Sequence, residues 1–110
     1  MTDAKTPDIE VPKWDVALEA LVKEEYGKQG KPLTLEDFRR LANQYTIRLD
    51  DIMATLLELA VHSQWRYCNP QGIPQIITRD EVDALYKRGR IQEADMQAYG
   101  GSWYPVRSAE

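Results

Sequence analysis

Apolar residues recur at helical spacing along the first half of the chain, switch briefly to alternation, and then return to helical spacing. Trp14, Leu18, Leu21, Val22 and Tyr26 lie on one side of a predicted helix from Trp14 or Asp15 to about Lys28. Gly27, Gly30 and Pro32 end it, since glycine accepts left-handed angles and proline cannot continue the ladder. The next helix has a well-marked start. Thr34 is a good N-cap, and Asp37 at the third helical position is a shorter stand-in for the glutamate of a capping box. Leu33 and Phe38 have the spacing of a hydrophobic staple. Phe38, Leu41 and Ala42 then face the core, and the helix ends near Asn43 or Gln44.

Tyr45 to Ile47 reads as a short turn, followed by a third helix from about Arg48 to His62. Leu49, Ile52, Met53, Leu56, Leu59 and Ala60 give it a broad apolar stripe, while Asp50 and Asp51 suit the positive end of its dipole. Gln64 to Cys68 alternates, with Trp65 and Tyr67 on one side and Arg66 and Cys68 on the other. Asn69-Pro70-Gln71-Gly72 is a strong turn signal. Ile73, Ile76 and Ile77 suggest a return strand that Pro74 confines to an edge. Thr78 with Glu81 forms a full capping box, and Ile77 with Val82 a second staple, so a fourth helix begins there with Val82, Leu85 and Tyr86 inward and a stop at Gly89. Ile91 to Tyr99 is a possible short fifth helix, ended by Gly100-Gly101.

The order helix, short turn, longer helix and strand over Leu33 to Tyr67 resembles the winged helix-turn-helix superfamily. The resemblance rests on Leu35, Phe38, Leu41 and Ala42 on the positioning helix, Ile47 in the turn, Ile52, Leu56 and Leu59 on the next helix, and Trp65 opening the wing. It implies a mainly α fold: a winged-helix-like three-helix core, a small two-stranded β-hairpin, and one or two additional C-terminal helices. It also implies that DNA-binding members read a groove with the exposed face of the third helix and basic wing residues. The matching positions here are Arg48, Asp51, Thr55, Glu58 and His62, with Arg66 and Gln71 in the wing. Two acids on that face would meet phosphates. The same scaffold serves protein assembly as well as DNA binding.

Length and charge sharpen this picture. The 110 residues suffice for one domain, here residues 14–110, preceded by an acidic arm over residues 1–13 that carries two prolines and three acids. A net charge of −4 weighs against non-specific adhesion to DNA or anionic membrane, since both need clustered cations. Cys68 is the single cysteine, which excludes an intrachain disulfide framework and points to the cytoplasm. The first twelve residues lack the apolar core of an export signal, and Ile52 to Val61 is too short to span a bilayer.

Catalytic groups are sparse. His62 is the only histidine and fits a helix-end cap. Cys68 lacks a glycine elbow, and the glycines form no phosphate-cradling loop. Asp50 and Asp51 point about 100° apart on a helix and converge poorly on a metal. No cofactor or metal is therefore expected, and the function expected is that of a non-catalytic module binding a protein partner or a second copy of itself. Trp103 and Tyr104 are large rings that either fold back over the core or anchor a partner, and with Asp51 and Glu58 they are the candidate partner-binding residues. The alternative is a dimeric DNA-binding regulator using Arg48, Arg66 and the cluster Lys87, Arg88 and Arg90. The cluster's helix-end position alone would also account for it.

Overall fold

A computed structural model describes residues 14–86 and 91–106. The expected acidic arm, the Gly89 stop and the Lys87, Arg88 and Arg90 cluster lie outside the described residues. Five helices and four strands are present among them. Helix α1 spans Val16–Gln29 and is followed by the two-residue strand β1, Leu33–Thr34. Helices α2, Leu35–Tyr45, and α3, Leu49–Val61, come next. Strands β2, Trp65–Cys68, and β3, Pro74–Gln75, form the hairpin. Helices α4, Arg79–Leu85, and α5, Glu93–Gln97, lead to the last strand, β4, Ser102–Pro105.

The helix starts follow from local chemistry. The Asp15 carboxylate accepts the N–H groups of Ala17 and Leu18 at 2.9 and 3.1 Å, and Gly30 closes α1 in the left-handed region at φ 75°. Asp37 accepts the Thr34 N–H at 2.9 Å, and Leu33 and Phe38 are both fully buried beside this box. The same device recurs at α4, where the Glu81 N–H donates to the Thr78 hydroxyl at 3.1 Å and Ile77 and Val82 are buried.

Helix α3 is the axis of the domain. Ile52, Met53, Thr55, Leu56, Leu57 and Leu59 are all buried, and the helix packs against α1, α2, α4, α5 and β2. A helix apolar on so many sides belongs inside rather than on a surface. Among the described residues no helix is long and apolar enough to cross a membrane.

The sheet departs from expectation. In place of a two-stranded hairpin it has four antiparallel strands in the order β1-β4-β2-β3. The C-terminal strand lies between β1 and β2, with Leu33 opposite Trp103 and Trp103 opposite Tyr67. The expected return strand is present, but only as Pro74–Gln75, paired with Cys68 and Tyr67. Tyr67, Tyr99 and Trp103 close into an aromatic cluster, with ring centroids 4.7 Å apart for Tyr67–Trp103 and 5.7 Å for Tyr67–Tyr99. Its burial binds the sheet to the helices. Gly101 lets β4 approach β2, since a Cβ there would stand 1.9 Å from the Cys68 carbonyl oxygen.

Candidate functional site

The face of α3 that would read a groove is covered in its middle, at Thr55 and Glu58, while Arg48, Asp51 and His62 stay exposed. Thr55 is buried, and its hydroxyl donates to the Asp51 carbonyl at 2.9 Å. Arg79 of α4 reaches across and donates to both Glu58 oxygens, at 2.9 and 2.7 Å, leaving the Glu58 side chain 12% exposed. His62 caps the helix, packs on the Trp14 ring at 5.3 Å, and lies 3.8 Å from Glu58. Asp51 and Glu58 do come together, with Asp15 and Tyr86, around a shallow acidic depression of about 510 Å³. Among the described residues no group of three or more His, Cys, Asp or Glu is placed to hold a metal ion.

The other nominated residues separate. Trp103 is fully buried at the centre of the sheet, so it serves the core and offers no ring to a partner. Its neighbour Tyr104 turns to the opposite face, half-buried and directly across from Arg66. This split is the period-two alternation of a strand. Arg48 sits at the α3 N-cap, exposed, 3.5 Å from Asp50. It is on a different element from Arg66. Lys87, Arg88 and Arg90 lie outside the described residues.

A second groove escaped the sequence reading. It has a volume of about 500 Å³ and runs between the end of α3, the first half of β2 and the segment after β3. Ser63, Trp65, Arg66, Ile76 and Val106 are among its walls. Ile76 is 87% exposed, and Ile73 on the same hairpin is exposed as well. Of these open apolar side chains, Ile76 borders the groove on its hairpin side. A smaller groove of about 380 Å³ adjoins it, sharing Arg66 and Val106 and adding Tyr26 and Tyr104.

The groove exposes a strand edge from within the sheet. The Val106 N–H donates to the Gln64 carbonyl at 2.8 Å, and the Asn69 N–H to the Ile73 carbonyl at 2.9 Å. Alternation along an antiparallel strand then turns the backbone of Gln64, Arg66 and Cys68 toward β4, and that of Trp65, Tyr67 and Asn69 toward β3. Tyr67 meets Gln75, but β3 ends there, so among the described residues no strand residue stands opposite Trp65. Trp65 is 2% exposed, and its buried indole Nε1 has no hydrogen-bond partner among the described residues. A buried orphan donor is uncommon and calls for an explanation. By contrast Pro74 blunts the outer edge of β3, and Pro32 stands at the start of β1.

Comparison with protein-family models, with curated proteins and with solved structures finds no match. The groove must therefore be interpreted from its own chemistry. It combines a short unpaired backbone edge, apolar walls and one exposed guanidinium. Arg66 forms no ion pair among the described residues. That set suits an extended peptide: backbone groups for the edge, apolar side chains for the walls, and a carboxylate for Arg66. The sequence held a signal for it in the exposed Ile73 and Ile76 around Pro74, although both were assigned to an ordinary return strand.

Proposed function

We propose that this chain is a non-catalytic interaction module of winged-helix type that binds an extended segment of a protein partner in the groove beside β2. The observation that carries this reading is the Trp65 edge, unpaired among the described residues and lying between exposed Ile76 and Arg66. The winged-helix assignment is supported by the order of α1, β1, α2, α3 and β2. It differs from the simplest form of that fold in giving the central place in the sheet to a C-terminal strand. The same scaffold then carries a peptide site in place of a groove-reading helix. The Arg79–Glu58 pairing over α3 and the net charge of −4 argue against duplex binding through that helix.

Selection of random displayed peptides on the immobilised chain tests this. Peptides alternating apolar and acidic residues are expected, with binding to the Ile76→Lys variant weakened by about tenfold or more. Enrichment of nothing, or equal binding to the variant, would overturn the reading. So would binding to random DNA duplex with a salt dependence equivalent to several released counterions.

A further inference from the structure

Arg66 and Tyr104 stand directly opposite each other across β2 and β4, so both side chains rise from the sheet face that buried Trp103 does not share. Tyr26, near the end of α1, brings a second phenol to the same place, and its ring meets Trp65 edge-on at 6.4 Å. These three, with Pro105 and Val106, line the depression of about 380 Å³, and no carboxylate is among its walls. Among the described residues Arg66 forms no hydrogen bond or ion pair, and the hydroxyls of Tyr26 and Tyr104 form no hydrogen bond. A guanidinium offers five N–H donors in a planar fork, and each phenol adds an O–H. The strands β3 and β4 flank β2 on its two sides, so the apolar wall at Ile76 and the phenol at Tyr104 lie on opposite flanks of Arg66.

We propose that the hollow between Tyr26, Arg66 and Tyr104 is a carboxylate subsite, which takes an Asp or Glu side chain of the partner segment lodged in the larger groove. The flat fork of arginine matches a carboxylate with two parallel hydrogen bonds, and the phenols supply further donors. A phosphoryl group carries close to two negative charges and is commonly met by a cluster of arginines, whereas a single arginine lines this hollow. At a net charge of −4 the domain as a whole does not draw anions in, so the preference comes from these short-range contacts. The proposal rests on the reading of the larger groove as a peptide site. It adds to that reading the residue class that fixes the segment, and it puts the acid on the Tyr104 flank of Arg66, away from Ile76.

Titration of the full chain with sodium propionate, followed by NMR at an ionic strength held constant with sodium chloride, tests the subsite by itself. The Arg66 Nε–H and the ring signals of Tyr26 and Tyr104 should move together and saturate. In Arg66→Gln the ring shifts should vanish, while the Trp103 indole, which donates to the Tyr99 carbonyl at 3.4 Å, keeps its position and reports an intact fold. Tyr104→Phe should weaken propionate by about two- to tenfold through the lost hydroxyl. No saturation, or equal ring shifts in Arg66→Gln, overturns the proposal, as does inorganic phosphate binding more tightly than propionate at the same ionic strength. For a displayed peptide that binds the groove, changing its acid to the amide should cost about tenfold in the parent chain and almost nothing in Arg66→Gln. Equal losses in the two chains remove the subsite and leave the groove as a peptide site. If propionate binds at Arg66 but no peptide is enriched, the peptide reading falls and the carboxylate site stands.

Discussion

The Gly101 N–H donates to the Tyr67 hydroxyl at 3.0 Å in the buried seam between β4 and β2. Two demands meet there. The hydroxyl accepts a backbone donor that has no strand partner to serve it, and the missing Cβ lets the backbones close to a distance no side chain would permit. Gly101→Ala should therefore cost about 3 kcal/mol, because the atom in the way is backbone and cannot swing aside. Tyr67→Phe should cost about 1–3 kcal/mol by leaving the Gly101 donor unsatisfied. Urea unfolding of the two variants checks both, and a neutral Gly101→Ala would mean the strands are not this close.

Trp103 and Tyr104 are adjacent in sequence but face opposite sides of the sheet. Trp103→Ala should lose about 3–5 kcal/mol, as expected when a fully buried aromatic is removed. Tyr104→Ala should lose well under half of that, while weakening any peptide that reaches the neighbouring groove. Comparable losses from the two would contradict the alternation.

Alkaline stability follows from the buried phenols. Tyr67, Tyr86 and Tyr99 all hold their protons above the ordinary value of 10.0, and burial is the leading cause in each. For Tyr99 the Glu81 carboxylate adds to it by accepting the hydroxyl proton in a hydrogen bond. Because the folded values are raised, their contribution is complete below pH 10 and is lost as pH climbs above it. Phenolate absorbance should show these three of the six tyrosines ionising only as the chain unfolds. Six equivalent titrations in a folded chain would refute this.

Asp37 supplies the opposite limb. Burial disfavours its charge, but bonds from the Thr34 N–H, Gln29, Arg40 and the Thr34 hydroxyl outweigh that and hold the carboxyl below its ordinary 3.8. A depressed folded value stabilises the chain above pH 3.8, and the gain disappears as pH falls through the folded value. Asp37→Asn should remove about 1 kcal/mol near neutrality and progressively less in acid, measured as a shift in thermal midpoint with pH.

The helix starts were legible because caps and staples are local. Thr34 with Asp37, and Thr78 with Glu81, declare themselves within four residues, and each structural box uses the residues the spacing nominates. The third helix was legible as a helix but not as an enclosed one. That Glu58 on its outward face is covered could be recognised only once Arg79 of α4 was seen to reach it. The sheet was harder still. β1 is two residues long, and one of them also serves as the α2 cap, so its strand pairing leaves no separate mark. In β4 two adjacent aromatics mask the alternation, and the partners that make it a strand, Leu33 and Tyr67, lie far away in sequence. The groove was invisible for a related reason: it exists because β3 stops at Gln75 while β2 continues, and no local pattern records where a partner strand ends.

The central position of β4 also sets an order of events. During synthesis α1, α2, α3 and the β2–β3 hairpin are made before Ser102–Pro105, yet among the described residues β1 has no neighbour in the sheet until β4 arrives. Until then the inner faces of Leu33 and Tyr67 have no Trp103 to pack against. Closing a sheet through its last strand is a long-range, slow step. A nascent chain halted before Trp103 should thus be a loose helical intermediate with a sticky sheet face, a natural client for holding chaperones rather than a smaller folded domain.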